Sequence, residues 1–309
     1  MTTEQTHKYE IKEEMMHSGA VGCRGCGWSM IARHISSILG EDTVYIVPAC
    51  CFSIIVGQYP MNAMKGNVVH TLFAAAASTA TGIRAALDRQ GKEHATVVVL
   101  AGDGSTFDIG LASVSGAAAR NENILYICNN NGAYMNTGIQ SSTATPYGAS
   151  TTTDPIPDYK RTWPKDLMGI MTSHHIPYVA TASPAYMEDF RNKIKKAKDM
   201  QGFRMIMVDG PCPAGHKTDP SKSISVSRLA VDTNLFPLYE VENQRYTINV
   251  KPNQKIPVEK CLELQGRFRQ LFKNGNSAEI QKIQDHADEG WIELLKKEGI
   301  ETEEYRILE

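Results

Sequence analysis

The chain has 309 residues and a formal net charge of −2, with 42% hydrophobic and 21% charged residues. This composition is that of an ordinary globular protein, and the length favours one large or two small domains. The near-neutral charge argues against nucleic-acid binding, and no apolar run reaches the roughly 18 residues of a membrane span. The first 17 residues are polar and lack the apolar core of a signal peptide, so we expect a cytoplasmic protein.

The predicted elements of the first half alternate between helix and strand, which is typical of a parallel α/β sheet. In chain order they are a helix over 28–39, a strand over 43–47, a helix over 70–87, a strand over 95–101, a helix over 109–120 and a strand over 124–128. Residues 141–163 are rich in Ser, Thr, Pro and Gly and show no periodicity. Because so long a plain connection is unusual in a compact domain, we expect a functional loop or an interface segment there.

The second half continues the alternation and then weakens. The pattern predicts a helix over 166–174, a strand over 177–181, a helix opened by Ser183 and Pro184, a strand over 203–208, a hairpin within 235–250, and helices over 258–272 and 278–297. The lysines of the helix opened by Ser183 and Pro184 (Lys193, Lys195, Lys196 and Lys198) are expected on its solvated face. We therefore expect an α/β fold with helices on both faces of a mostly parallel sheet.

Two units are expected along the chain. Residues 1–220 form the α/β domain, and residues 221–309 form a C-terminal extension. The extension is expected either to lie at a subunit interface or to cap the same core.

The stretch that follows the strand over 95–101 suggests a metal site. Gly102 and Gly104 allow the backbone to bend tightly and approach a ligand, and Asp103 lies where open α/β sheets bind ligands. A helix and a second apolar strand lead to the Asn run that ends at Asn131. Mg²⁺ prefers oxygen ligands, and a βαβ unit brings these two loops together. The spacing predicts Mg²⁺ holding a diphosphate, although a Gly-Asp-Gly turn alone would favour an ordinary βαβ unit with an Asn-rich loop.

The chain has seven cysteines, an odd number that argues against a disulfide framework. Cys23 and Cys26 form a CxxC before a helix, without the second CxxC of a zinc ribbon or the preceding strand of a thioredoxin-like pair. Cys51 and Cys212 each follow a predicted strand, as Asp103 does. Four thiols could thus meet beside the diphosphate site, the number that an iron–sulfur cluster needs. The spacing leaves both this cluster and unrelated buried thiols open.

Five motifs together give the sequence a specific likeness. They are Cys23-Arg-Gly-Cys26-Gly27, Gly102-Asp103-Gly104-Ser-Thr-Phe107-Asp108-Ile109-Gly110, Asn131-Gly-Ala-Tyr134-Met135-Asn136-Thr137-Gly138, Pro211-Cys212-Pro213 and Leu264-Gln265-Gly266-Arg267-Phe268. In this order they resemble the thiamin diphosphate-binding β subunit of 2-oxoacid:ferredoxin oxidoreductases, especially the pyruvate branch, over residues 22–272. The resemblance implies the thiamin diphosphate-binding fold.

The resemblance also implies the residues of the site. Cys23, Cys26, Cys51 and Cys212 would bind a [4Fe–4S] cluster, with Cys51 preferred over its neighbour Cys50. Mg²⁺ would be bound by the side chains of Asp103 and Asn131 and by the carbonyl of Ala133. The cofactor-binding residues would be Gly102, Asp103, Gly104, Asn131, Ala133, Tyr134, Met135 and Thr137. The catalytic residue would be Asn136, facing the substrate and the reacting carbon of the cofactor.

The family reaction sets the expected activity and partners. It is the reversible oxidative decarboxylation of a small 2-oxoacid, pyruvate to acetyl-CoA and CO₂, with single electrons passing through the cluster to ferredoxin. The sequence has no second α/β domain to bind the aminopyrimidine and no CxxCxxCxxxC run. We therefore expect a hetero-oligomer with a pyrimidine-binding α-type subunit and a ferredoxin-like cluster subunit.

Several positions depart from the pyruvate pattern and remove charge near the expected site: Trp28, Cys50 to Phe52, Ala74 with Ala75, and Asn130 to Gly132. A changed substrate would explain them, such as oxalate, which related oxalate oxidoreductases split to two CO₂ without coenzyme A. Drift without functional change would also explain them. Two further alternatives are a thiamin decarboxylase without a redox step and a non-catalytic assembly or electron-transfer subunit.

Overall fold

An eight-stranded sheet forms the centre of the computed structural model, which describes residue 11, residues 14–273 and residues 277–301. The strands are β1 (Thr43–Pro48), β2 (Asn67–Thr71), β3 (Thr96–Gly102), β4 (Leu125–Asn130), β5 (Tyr178–Ala182), β6 (Arg204–Asp209), β7 (Tyr239–Glu242) and β8 (Arg245–Ile248). They lie in the order β2-β1-β3-β4-β6-β5-β7-β8. The first six are parallel, and β7 and β8 are antiparallel at one edge.

Helices cover both faces of this sheet, as the sequence predicts. They are α1 (Gly27–Leu39), α2 (Cys51–Val56), α3 (Ala76–Arg89), α4 (Leu111–Ala119), α5 (Leu167–Ser173), α6 (Met187–Asp199), α7 (Pro213–His216), α8 (Ser223–Asp232), α9 (Glu259–Glu263) and α10 (Ser277–Glu298). A π-helical turn spans Gly104–Ile109, and 3₁₀ turns span Pro220–Lys222 and Gly266–Phe272.

The central strand β3 shows why both faces are covered. Val98 and Leu100 pack with α1, α2 and α6 on one face, whereas Val97, Val99 and Ala101 pack with α3, α4 and α5 on the other. A parallel strand with apolar side chains on both faces needs a layer of helices on each. The apolar run over residues 95–101 is continuous because β3 is covered on both faces.

The register places the carboxyl ends of three strands side by side. Gly102 of β3 pairs with Asn129 of β4, and Asn130 of β4 pairs with Asp209 of β6. The loops that follow these strands therefore leave the sheet at one edge, where open α/β sheets bind ligands.

Three local predictions are wrong. The helix predicted to begin at His70 begins at Ala76, because His70 lies in β2 and pairs with Val47 of β1. The helix that Ser183 was expected to cap begins four residues later, at Met187. The helix predicted over residues 258–272 is divided into α9 and the 3₁₀ turn that follows it.

Lys193 corrects the expected polarity of α6. Its side chain is buried, and its ammonium donates to the carbonyl of Thr181 at 2.8 Å and to Asp189 at 2.7 Å. The helical pattern predicts that this charge faces solvent. Instead, the carboxylate of Asp189 and the carbonyl of Thr181 compensate for its burial. Lys195 and Lys198 are exposed, as predicted, and Lys196 is half-buried.

The described part of the C-terminal extension packs against the domain that precedes it. Strand β7 pairs with β5, so the predicted hairpin continues the same sheet. Phe268 and Leu271 pack with Ala149 and Tyr159 in a separate apolar cluster. The boundary near residue 220 and the interface role of the extension stay predictions. Within the described ranges, no helix is both long and apolar enough to cross a bilayer.

Candidate functional site

A cavity of about 370 Å³ opens where β3 and β4 end. All of the predicted cofactor-binding residues and the predicted catalytic residue line it: Gly102, Asp103, Gly104, Asn131, Ala133, Tyr134, Met135, Asn136 and Thr137. Trp28, Cys51, Ile54 and Phe73 complete much of the remaining wall. Its volume lies in the range of small-molecule sites.

The wall of this cavity depends on glycine at position 104. A side-chain carbon there would collide with the ring of Tyr134. The Tyr134 hydroxyl donates to Asp108 at 2.7 Å, which ties the loop after β4 to the π-helical turn after β3. A π-helical turn inside a helical segment is frequent at functional sites.

Three polar groups converge at the base of the cavity. One amide position of Asn131 lies 2.9 Å from Oδ1 of Asp103 and 3.0 Å from the carbonyl oxygen of Ala133. With the amide nitrogen in this position, Asn131 donates to both oxygens. With the amide oxygen there, three oxygens face one another and need a cation. Octahedral Mg²⁺ with bonds of about 2.1 Å holds adjacent oxygens about 2.9 to 3.0 Å apart, so the spacing fits this ion.

The surroundings of Asp103 disfavour its ionised form unless a cation is close. It is only 1% exposed, and burial raises the pKa of its carboxyl to about 7. The Ser142 hydroxyl donates to its Oδ2 at 2.6 Å and partly opposes this shift. The buried ammonium of Lys160 donates to the carbonyl of Ser142 at 2.7 Å. A buried carboxylate becomes fully ionised only when such partners or a metal compensate for its lost hydration.

The loop over 141–163 supports the site, and sequence reasoning missed the residues concerned. Besides Ser142 and Lys160, Thr145 donates to the carbonyl of Gly132 at 2.7 Å. On the other side, Nε2 of the buried His216 lies 2.9 Å from the carbonyl oxygen of Asn131. In the sequence, only the length of the aperiodic loop indicates a functional role, and it does not identify the residues that contact the site.

The four cysteines of the predicted cluster lie on neighbouring segments. The amide of Gly27 donates to the carbonyl of Pro211 at 3.0 Å, which brings the CxxC loop against the segment that holds Cys212. Burial raises the pKa of Cys51 to about 12, a shift to which the negative charges of Cys212, Cys50, Cys26 and Cys23 contribute. All seven cysteines are free thiols.

The adjacent cysteines at the start of α2 point in different directions. The Cys50 thiol lies 3.9 Å from the carbonyl oxygen of Leu100, and its pKa is raised to about 11 mainly by burial. The Cys51 thiol donates to Oδ1 of Asn136 at 3.2 Å. Of the two, Cys51 thus faces the predicted catalytic residue and the other thiols.

No group of three His, Cys, Asp or Glu side chains within the described ranges could hold one metal ion. This finding does not apply to either predicted site. The oxygen trio contains one carboxylate, with an amide and a backbone carbonyl. The thiolates of a [4Fe–4S] cluster each bind a different iron and do not converge on one point.

Comparisons with known proteins show the family to which the chain is similar. Residues 49–208 match the family model described as thiamine pyrophosphate enzyme, C-terminal TPP binding domain. The chain is 43% identical to pyruvate synthase subunit PorB of Methanothermobacter marburgensis, over 92% of this chain and 98% of that protein. It is also 43% identical to ketoisovalerate oxidoreductase subunit VorB of Pyrococcus furiosus, over 92% of this chain and 93% of that protein.

A solved structure shares the fold. It is 2-oxoglutarate:ferredoxin oxidoreductase from Magnetococcus marinus, with 2-oxoglutarate, coenzyme A and succinyl-CoA bound. The TM-score is 0.58 at 23% identity, over 71% of this chain and 80% of that chain. At this identity the likeness concerns the fold alone.

Proposed function

Because this chain belongs to the family of 2-oxoacid:ferredoxin oxidoreductase β subunits that includes PorB and VorB, we propose that it binds thiamin diphosphate through Mg²⁺ and takes part in the oxidative decarboxylation of a small 2-oxoacid. The observation that carries this proposal is the convergence of Asp103, Asn131 and Ala133 at the base of a cavity whose wall includes Cys51. When bound, thiamin diphosphate supplies a carbanion that adds to the 2-keto carbon and accepts the electron pair left when CO₂ departs.

The chain's own residues would hold the diphosphate and its metal. Asp103 and Asn131 would provide side-chain oxygens to Mg²⁺, and Ala133 its carbonyl. Gly102 carries no side chain between the end of β3 and the cavity, and its backbone would let the diphosphate approach. Ser142 would keep Oδ2 of Asp103 in place and leave Oδ1 free for the metal.

The proposed electron acceptor is a [4Fe–4S] cluster bound by Cys23, Cys26, Cys51 and Cys212. Both Cys50 and Cys51 line the same cavity as the metal ligands, and Cys51 supports this assignment because its thiol faces Asn136 whereas that of Cys50 faces the carbonyl of Leu100. Asn136 lines the cavity and its Oδ1 accepts a hydrogen bond from Cys51, so it would lie between the two proposed sites. We assign it the role of orienting the substrate beside the reacting carbon.

A partner subunit would complete the cavity. Asp103 is the one carboxylate among the described residues that line it, and Mg²⁺ would occupy that group. A carboxylate that activates the aminopyrimidine would then come from an α-type subunit. Large apolar side chains near the cavity are exposed, among them Ile54 at 60% and Leu72 at 78%, which suits a surface that a partner covers. A ferredoxin-like subunit and ferredoxin would carry the electrons onward.

This chain's part of the cavity wall has no cationic side chain for a substrate carboxylate. Among the described lining residues there is no Lys, Arg or His, so the partner subunit that completes the cavity would bind the carboxylate. The curated relatives act on pyruvate and ketoisovalerate, judging by their names.

The test is an anaerobic assay of the purified complex with ferredoxin. Pyruvate, 2-ketoisovalerate, 2-oxoglutarate and oxalate are each supplied with and without coenzyme A. We expect turnover of pyruvate or 2-ketoisovalerate that requires coenzyme A. Turnover of oxalate without coenzyme A would instead assign the oxalate-type reaction. Release of CO₂ without reduction of ferredoxin would identify a non-redox decarboxylase.

A further inference from the structure

Arg267 carries a buried charge that the proposed reaction has not used. The residue is only 9% exposed, and its Nε donates to Gln265 at 3.0 Å. Its guanidinium also lies over the ring of Phe268, 5.1 Å from the centroid. Within the described ranges, its terminal nitrogens form no hydrogen bond and no ion pair. Burial lowers the pKa of the guanidinium to about 10, and the nearby carboxyl of Asp209 is one of the groups whose charge opposes this shift. Burying a cation in this way is costly unless its field serves another group.

The backbone around Arg267 is fastened to the segment that follows Cys212. The amide of Gly266 donates to the carbonyl of Lys217 at 3.2 Å, and the Thr218 hydroxyl donates to the carbonyl of Leu264 at 2.9 Å. The carbonyl of Arg267 accepts from the amide of Ser150 at 2.8 Å. These contacts hold the C-terminal extension, and with it the arginine, in a defined place beside the site.

The guanidinium lies beside the predicted metal loop and the helix that Cys212 caps. A side-chain carbon on Gly132 would lie 3.2 Å from a terminal nitrogen of Arg267, so the cation packs against the loop that holds Asn131. Nε2 of the buried His216 lies 2.9 Å from the carbonyl oxygen of Asn131, and His216 ends helix α7, whose N-cap is Cys212. The positive charge of Arg267 is therefore buried close to both the metal loop and a predicted cluster ligand.

We propose that Arg267 is a positioning residue that sets the electrostatic field at the cluster and thereby favours its reduced state. The inference rests on the proposed function, since it takes Cys212 as a cluster ligand. One electron from oxidation of the 2-oxoacid makes the cluster one unit more negative, and the same electron later leaves to ferredoxin. A fixed buried cation stabilises the more negative state, because its field is little screened in the interior.

The test measures the midpoint potential of the cluster in the intact, anaerobically purified complex by a titration monitored with electron paramagnetic resonance. The relevant signal is the one that Cys51→Ser removes. Arg267→Gln and Arg267→Met remove the charge, and Arg267→Lys keeps it. Arg269→Gln is the matched control, because Arg269 lies in the same 3₁₀ turn but is exposed.

We expect a more negative potential in the Gln and Met variants, and a potential near that of the wild type in Arg267→Lys and Arg269→Gln. Loss of the cluster from both neutral variants but not from Arg267→Lys would also support the proposal. An unchanged potential in the neutral variants would overturn it, as would an equal shift or loss in Arg267→Lys. A wild-type complex without the signal would instead refute the proposed function itself.

Discussion

The oxygen-lined and thiol-lined parts of the site differ in how the protein holds them. Asp103 and Asn131 are buried, and hydrogen bonds from Ser142 and His216 reach the carboxylate and the adjacent carbonyl. The thiols come from separate segments, and Cys23 is exposed. The fold would therefore preorganise the proposed oxygen site, whereas the proposed thiol site would depend on a bound cluster to hold its segments together.

Burial has the same electrostatic effect on both parts. It raises the pKa of Asp103 to about 7 and that of Cys51 to about 12. Each group is thus disfavoured as an anion unless a cation neutralises it. The proposed sites differ in geometry: the oxygens already lie together, whereas the exposed part of the thiol site would take its arrangement from a bound cluster.

The largest expected effect separates the two adjacent cysteines. Cys51→Ser should abolish the cluster signal and the reduction of ferredoxin, because a neutral hydroxyl replaces a thiolate ligand. Cys50→Ser is the matched control, because the Cys50 thiol faces the carbonyl of Leu100. This variant should keep the signal. Electron paramagnetic resonance of the reduced complex measures both. Loss of the signal in Cys50→Ser with retention in Cys51→Ser would reverse the assignment.

The second prediction concerns the oxygen site. Asp103→Asn should lower turnover by about 100- to 1,000-fold, because the charge that the metal neutralises is lost while the shape is kept. Titration with Mg²⁺ and thiamin diphosphate should show the same loss as weakened binding. Asp158→Asn is the control, since the Asp158 side chain is 71% exposed. Wild-type binding in Asp103→Asn would show that the metal lies elsewhere.

The preorganisation itself can be tested at Ser142. Ser142→Ala removes the hydrogen bond to Oδ2 of Asp103, and we expect Mg²⁺ to bind about 10- to 100-fold more weakly, as for outer ligands of other metal sites. Ser141→Ala is a neighbouring control, because no hydrogen bond of its hydroxyl is seen among the described residues. Isothermal titration of the complex with Mg²⁺ in the presence of thiamin diphosphate gives the affinities. Equal affinities for the two variants would mean that the oxygen site does not depend on this contact.

The smallest expected effect is on stability at Asp209, near the thiol site. Burial raises the pKa of this carboxyl to about 6, and one of its oxygens has no hydrogen-bond partner among the described residues. Because the unfolded carboxyl ionises first, the free energy of unfolding falls as the pH rises from about 4 to about 6. Asp209→Asn should therefore stabilise the complex by about 2 kcal/mol at pH 7, and less as the pH is lowered toward 4.

Thermal unfolding at several pH values measures this difference. Asp199→Asn, a change at an exposed position on α6, should show no such pH dependence. A stability difference for Asp209→Asn that does not vary with pH would contradict the explanation from burial.

The sequence predicts the proposed site residues better than the residues that hold them in place. The apolar runs of β3 and β4 and the glycines beside Asp103 are local signals, and they locate the edge of the sheet where the cavity opens. Ser142 and Lys160 lie in a loop without periodicity, and their partners are up to 39 residues away. No local pattern marks contacts that only the folded chain brings together.

The local errors have the same origin. His70 has helical neighbours in the sequence, but its pairing with β1 holds it in a strand. Lys193 fits the solvated side of a helical pattern, yet Thr181 from β5 supplies the acceptor that allows its burial. In each case a contact between distant segments outweighs the local preference.

The most direct test of the central claim is a crystal structure of the anaerobically purified complex, with anomalous scattering measured at the iron edge. The account predicts an iron–sulfur cluster bound by Cys23, Cys26, Cys51 and Cys212. It also predicts thiamin diphosphate beside that cluster, with Mg²⁺ on Asp103, Asn131 and Ala133. An absence of iron between these four thiols, or a diphosphate bound away from Asp103, would contradict it.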